Sequence, residues 1–360
     1  MPNPASQASK TALLSVNGLT KDFGSSNFFR KTPILRAVND VSFSIEKGET
    51  LALVGESGCG KSTTGRLVLR LLEASSGSIR FDGQELRELS HKKMTDVRRD
   101  LQIVFQDPYS SLNPRMAVRD LLGEPLLIHE GMSRSAIDER VAQLLATVGL
   151  PASHARRYPH EFSGGQRQRL GIARAIALSP KLVVCDEAVS ALDVSVQAQV
   201  VNLLEDIQEK LGLSYLFISH DLTVVRQIAR RVAVMYLGRI IELAPTESLF
   251  RNPRHPYTRL LMDAIPVPDP ERRRNRTIPA GDIPSPLAPP SGCHFHPRCP
   301  YATAICKTTV PSVDTDDSGH RVACHHWREL PSRPPPESAG DTTNSRLKRL
   351  QSQFLTQPKG

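Results

Sequence analysis

Residues 51–62, LALVGESGCGKS, constrain this chain more than any other stretch of its 360 residues. GESGCGKS (55–62) fits the pattern G-x-x-x-x-G-K-[ST]. The apolar run before it reads as a strand. KSTTGRLVLRLLE after it reads as an amphipathic helix with Leu67, Val68, Leu71 and Leu72 on one face. A strand that feeds a glycine-rich loop into a helix N-terminus points successive backbone N–H groups at an anion. Gly55, Gly58 and Gly60 allow the curl, with Glu56, Ser57 and Cys59 between them. Lys61 is expected to reach the β- and γ-phosphates of a nucleotide, and the Ser62 hydroxyl, followed by Thr63, to ligate Mg²⁺.

Other short apolar runs share the character of LALVG: KLVVCDE (181–187) and LSYLFISH (213–220) suit strands buried on both faces. Helix-period stretches separate them, SAIDERVAQLLATVGL and SVQAQVVNLLEDIQEKL among them. Strands alternating with helices predict an α/β fold around a parallel sheet. Residues 13–55 alternate apolar and polar positions and read as several short strands. At the end of KLVVCDE, Asp186 is expected near the metal, and Glu187 where it can polarise a water attacking the γ-phosphate. Gln106 follows the apolar run of QIVFQDP, His220 ends a strand in LFISHDL, and FSGGQRQRLGIARA (162–175) opens a helix with small residues suited to an anion.

Together with SALD (190–193), these motifs resemble, in chain order, the phosphate loop, Q-loop, signature, second carboxylate site, D-loop and switch histidine of ABC-type ATPases. FQDPYSSLNPR, RYPHEFSGGQRQR, NPRHPYTRLL and GCHFHPRCP narrow the resemblance to the ATP-binding subunits of oligopeptide/dipeptide importers, over about residues 13–330. The resemblance implies a P-loop NTPase core carrying an antiparallel β subdomain, a helical signature subdomain at about 107–175 and a small cysteine-containing C-terminal domain. The expected division is 1–250 for nucleotide binding, 251–330 for the C-terminal domain, and 331–360 for a disordered tail. It also implies ATP and Mg²⁺, with Ser62, Gln106 and Asp186 on the metal and Glu187 and His220 in catalysis. Ser163, Gly164, Gly165 and Gln166 would act on the nucleotide of a paralogous ATPase subunit, and Asp193 would belong to the D-loop. Phe23 sits where the family stacks an aromatic ring on adenine, with Phe28 and Phe29 as rivals. Further expected partners are two membrane permease subunits and an extracytoplasmic substrate-binding protein. One departure is Ala188, where the family usually has proline; alanine is expected to loosen the restraint on Glu187.

Composition and charge are consistent with this reading. The N-terminus shows no signal-peptide pattern and no apolar run nears the ~20 residues of a membrane span. A soluble, cytoplasmic protein is therefore expected, and the resemblance implies a peripheral place on the cytoplasmic face of the inner membrane. The net charge of +9 raises a nucleic-acid partner, but arginines are scattered. The one dense cluster, Arg272, Arg273, Arg274 and Arg276, reads as a solvated loop, so no nucleic acid is expected. The alternative is a non-transport ABC ATPase acting on nucleic acid or ribosomes; such proteins carry tandem cassettes or long coiled coils, and this chain shows one cassette without sustained heptads. Four of the six cysteines, Cys293, Cys299, Cys306 and Cys324, lie in a proline-rich tail with little apolar sequence of its own. A reducing compartment argues against disulfides. A metal centre on four thiolates is expected instead, and the family tail implies a [4Fe–4S] cluster; zinc and free thiols are the alternatives.

Overall fold

A computed structural model describes residues 12–24, 26–27, 30–31, 34–107, 111–265 and 284–331. An eight-stranded sheet forms its centre. In spatial order the strands are Asp314–Thr315, Arg321–Val322, Arg239–Pro245, Arg231–Tyr236, Thr50–Val54, Ser214–Ser219, Leu182–Asp186 and Leu101–Val104. The five from Arg231–Tyr236 to Leu101–Val104 run parallel, and the remaining pairs are antiparallel. Thr50–Val54, Leu182–Asp186 and Ser214–Ser219 are buried at every residue, as continuous apolar runs with helices on both faces require. Their carboxyl ends deliver the glycine-rich loop, Asp186 and His220 to one edge of the sheet, where open α/β folds bind ligands.

A second, antiparallel sheet runs Leu35–Glu46, Ala12–Phe23, Ser76–Phe81, Gln84–Glu85. The sequence suggests several short strands over 13–55, yet the strands Ala12–Phe23 and Leu35–Glu46 are 12 residues each. The interruptions that look like turns are register shifts within one ladder, such as that between Val16 and Leu19. Two cores form, one on each side of the central sheet. One packs against the antiparallel layer and the other among the helices.

The helix after the loop is also shorter than its periodicity suggests, Lys61–Val68. Arg70 adopts φ 50°, its N–H donates to the Leu67 carbonyl at 2.9 Å, and the Leu71 N–H donates to the Arg66 carbonyl at 2.8 Å. These two bonds form a Schellman end with arginine where glycine is usual. The guanidinium compensates by donating to the Leu86 and Leu89 carbonyls at 2.9 and 2.6 Å. Leu67 and Val68 are buried, whereas Leu71 lies beyond the stop and is exposed.

The helix Val118–Glu130 escapes sequence reading because it contains Gly123 and Pro125. Gly123 has a packing role: a Cβ there would lie 2.7 Å from Ile137 of the neighbouring Arg134–Thr147 helix. That second helix is capped by Ser133, whose hydroxyl accepts from the Ala136 N–H at 3.4 Å. The helix Val194–Leu211 lies where its periodicity puts it.

The C-terminal residues add to the central sheet rather than building an independent core. Arg321–Val322 pairs with Arg239–Pro245, and Phe295 and Tyr257 bury themselves against Tyr236 of the sheet. The buried Glu242 carboxylate gathers the segment. It accepts from the Arg254 N–H at 2.7 Å, the His255 N–H at 2.9 Å and His320 Nε2 at 2.7 Å. His255 in turn caps the helix Pro256–Asp263, its Nδ1 accepting from the Tyr257 N–H at 3.0 Å.

Burial depresses the His255 pKa to about 4, outweighing the nearby Glu242 charge. The unfolded chain takes up this proton near 6.5, so the stability present above that pH is lost as the pH falls toward 4. About 2 kcal/mol should disappear between pH 6.5 and pH 5 from this group. His255→Asn keeps a cap acceptor and removes the titration. Its denaturation midpoint should therefore vary less with pH than that of the parent chain; equal pH profiles would exclude His255 as the source.

Candidate active site

The loop 55–60 is shaped by close approach. A Cβ on Gly55 (φ 155°) would sit 2.2 Å from the Met235 carbonyl oxygen, and one on Gly60 (φ 106°) 2.2 Å from that of Ala37. No other residue fits at either position. Lys61 is buried at the first turn of the helix, its Nζ donating to the carbonyls of Gly55 at 2.9 Å and Glu56 at 3.0 Å. Backbone carbonyls are soft partners for an ammonium, so the charge is held ready for a stronger anion. The Ser62 hydroxyl donates to Asp186 Oδ1 at 2.7 Å. Burial raises the Asp186 pKa, partly opposed by that bond.

Glu187 has φ 48°, a left-handed conformation that costs a non-glycine residue about 1–3 kcal/mol. Its N–H donates to the Ile218 carbonyl at 3.0 Å, and its own carbonyl accepts from the Ser190 hydroxyl at 2.9 Å. The turn swings the carboxylate out of line with the strand. Oε2 accepts from Gln106 Nε2 at 2.8 Å, and Oε1 stands 3.7 Å from His220 Nδ1. These contacts already hold Glu187, contrary to the loosening expected from Ala188, which is itself buried. Ala188→Pro should therefore change turnover less than about twofold; a several-fold rise in kcat would show that Glu187 is mobile.

Phe23, Ser57, Gly58, Gly60, Lys61, Ser62, Thr63, Gln106 and Glu187 line one cavity of about 340 Å³. Gly55, Glu56 and Cys59 complete the loop behind it, and burial raises the Cys59 pKa. Phe23 is part-exposed at the cavity wall; Phe28 and Phe29, like Arg272–Arg276 and the tail from 332, lie outside the described residues. The cavity does not include Ser163, Gly164, Gly165 or Gln166. These open the helix Gly164–Ile176 with a reciprocal cap: Ser163 Oγ accepts from the Gln166 N–H at 3.3 Å, and Gln166 Oε1 accepts from the Ser163 N–H at 3.1 Å. Gly165 lies where a Cβ would meet Val196 at 2.4 Å, next to Asp193 at the head of the Val194–Leu211 helix.

Sequence reasoning missed the residues that reach the loop from far along the chain. Pro286 lines the cavity, Tyr257 accepts from the Glu56 N–H at 2.9 Å, and Arg298 pairs with the Glu56 carboxylate. A 242-residue separation leaves no local signal for that last contact.

The metal centre expected on Cys293, Cys299, Cys306 and Cys324 requires correction. Among the described residues no group of three or more His, Cys, Asp or Glu side chains is arranged to hold a metal ion. The four cysteines do meet around one pocket, but as free thiols enclosing about 10 Å³, roughly the space of a single water-sized sphere. Burial pushes Cys299 up to about 11 and Cys324 up to about 12. The premise that this tail lacks a core also fails, because Tyr236 and the sheet edge supply one. Neither an iron–sulfur cluster nor zinc is retained.

A strand, a glycine-rich loop with a buried lysine, and a Ser–Asp pair beside a glutamate define the class of P-loop nucleotide hydrolases. Comparison with known proteins agrees. The ABC transporter family model matches residues 38–190, and that of the oligopeptide/dipeptide transporter C-terminal region matches 241–306. A probable peptide ABC transporter ATP-binding protein, y4tS, of Sinorhizobium fredii is 53% identical over 87% of this chain and 90% of its own length. The oligopeptide transport ATP-binding protein AppF of Bacillus subtilis is 51% identical, over 88% and 98%. Among solved structures, the ATP-binding cassette MJ0796, in a dimer bound to ADP and Pi, superposes with a TM-score of 0.59 at 27% identity, over 65% of this chain and 98% of that one. The chain belongs to the ABC-type ATPases, in the family of peptide-transporter ATP-binding subunits.

Proposed function

We propose that the chain hydrolyses ATP to energise import of peptides, or a related small solute, through a membrane ABC transporter. The observation that carries the site assignment is that Ser62–Asp186 and Gln106–Glu187 are paired in and beside a cavity that Lys61 lines. In this reading the loop amides and Lys61 bind the β- and γ-phosphates, and Phe23 stacks on adenine. Ser62, Gln106 and Asp186 would hold Mg²⁺, which neutralises charge on the phosphate oxygens. Glu187 accepts the proton of the attacking water, and His220 beside it steadies charge on the γ-phosphoryl group. Peptide as the solute is carried over from the relatives, which are described as peptide and oligopeptide transport or import ATP-binding proteins.

The absence of the signature residues from the lining of this cavity supports the proposed assembly. Ser163, Gly164, Gly165 and Gln166, with Asp193, are assigned to the nucleotide of a paralogous ATPase subunit in a head-to-tail heterodimer. Two permease subunits and an extracytoplasmic substrate-binding protein complete the transporter, with this chain peripheral on the cytoplasmic face. No helix among the described residues is long and apolar enough to cross a membrane. Residues 1–250 form the nucleotide-binding domain, with a helical part at about 107–175, and 251–330 a C-terminal domain. A nucleic-acid partner does not accord with the family. The test is affinity purification from membranes: permeases and a second ATPase should accompany the chain, whereas salt-sensitive retention of nucleic acid or ribosomes would reject the proposal.

A further inference from the structure

We infer that Arg298 and Tyr257 are positioning residues for the phosphate loop, so that the C-terminal segment sets the enzyme's affinity for ATP. Arg298 Nη1 and Nη2 donate to Glu56 Oε2 and Oε1 at 3.0 and 3.1 Å, a two-pronged pair with the arginine side chain only 6% exposed. Such a fork fixes direction as well as distance. On the same residue, the Glu56 N–H donates to the Tyr257 hydroxyl at 2.9 Å. Glu56 is therefore held by its backbone donor and by its carboxylate, and both holders come from beyond residue 250. The Glu56 carbonyl accepts from Lys61 Nζ at 3.0 Å, so the residue that the C-terminal segment grips is one that places the phosphate-binding ammonium.

The grip is rigid. Tyr257 lies 4.6 Å from Tyr236 and 5.5 Å from Phe295 between ring centroids, all three fully buried. Phe295 begins the turn His296–Arg298 that presents the guanidinium. Pro286 of the same segment reaches the cavity wall. Phosphate-loop amides bind only if their N–H groups already converge, and a loop free to sample other conformations has its affinity reduced by the fraction of time it is competent. Release of Glu56 therefore weakens ATP binding without removing any group that touches ATP.

This inference rests on the reading of residues 55–62 as an ATP site. The experiment measures ATP binding and steady-state hydrolysis on the chain assembled with its partner subunits, together with the melting temperature with and without ATP. Tyr257→Phe keeps the ring and removes only the acceptor, and Arg298→Lys keeps the charge but not the fork. Each should raise KM and Kd for ATP about three- to tenfold with kcat within about twofold, and shrink the ATP-induced rise in melting temperature. Arg298→Ala should do so more strongly. If all three lower the melting temperature yet leave KM, Kd and the ATP-induced rise at parent values, the contacts are only structural and the inference is overturned. A parent chain that fails to bind ATP overturns the ATP-site reading as well; Lys61→Ala, expected to weaken binding far more than the Tyr257 and Arg298 variants, is the control that separates the two.

Discussion

Glu187→Gln should bind ATP with near-parental affinity and hydrolyse it about 10²–10⁴-fold more slowly, the range for loss of a general base. The substitution is close to isosteric. Its amide can still contact Gln106, and the bond from the Glu187 N–H to the Ile218 carbonyl is backbone and survives. What disappears is the acceptor for the water proton. The left-handed φ of 48° argues that the carboxylate's direction is the purpose of the turn, since a residue following its strand outward would avoid that strain. Lys61 and the loop amides are untouched, so the variant should accumulate ATP-bound in the assembled complex. Single-turnover hydrolysis measures the chemical step directly. A rate within a few-fold of the parent would remove Glu187 from its role.

Lys61→Ala should lose about 10²–10³-fold in kcat/KM, as expected when a preorganised charge aimed at the developing phosphoryl charge is removed. The partners of Nζ are two backbone carbonyls, with Cys59 Sγ at 3.9 Å. In the absence of nucleotide the ammonium is thus a buried charge that burial disfavours. The nucleotide-free variant should melt no lower than the parent, while the rise in melting temperature that ATP brings should vanish. A variant that melts lower yet keeps that rise would mean Lys61 is a structural residue.

Most of the site was legible because its chemistry is local. Gly55 to Thr63 lie in one strand–loop–helix unit, and Asp186 and Glu187 end another buried strand. Such units carry both the residue types and their placement. Gln106 and His220 come from other strands, and only the order of motifs placed them beside Glu187. Element ends were less legible, because a side chain can replace the usual signal. Arg70 ends a helix where glycine is expected, its guanidinium satisfying distant carbonyls. Pro125 and Gly123 disguised a helix whose small residue serves packing against Ile137. The C-terminal segment is hard to read from sequence for a different reason. Its core partners, Tyr236 and Glu242, belong to the sheet, so its own composition understated its stability and made a metal seem necessary. Long-range pairs such as Arg298–Glu56 leave no local pattern at all.

In the proposed mechanism ATP turnover at Glu187 drives solute import. The most direct measurement is uptake of labelled peptide by proteoliposomes that contain this chain with the proposed second ATPase and two permeases, with a binding protein added outside. ATP enclosed on the inner side should produce accumulation that stops with Glu187→Gln while nucleotide stays bound. Peptide accumulation that continues with that variant, or ATP hydrolysis indifferent to every loaded binding protein supplied, contradicts it.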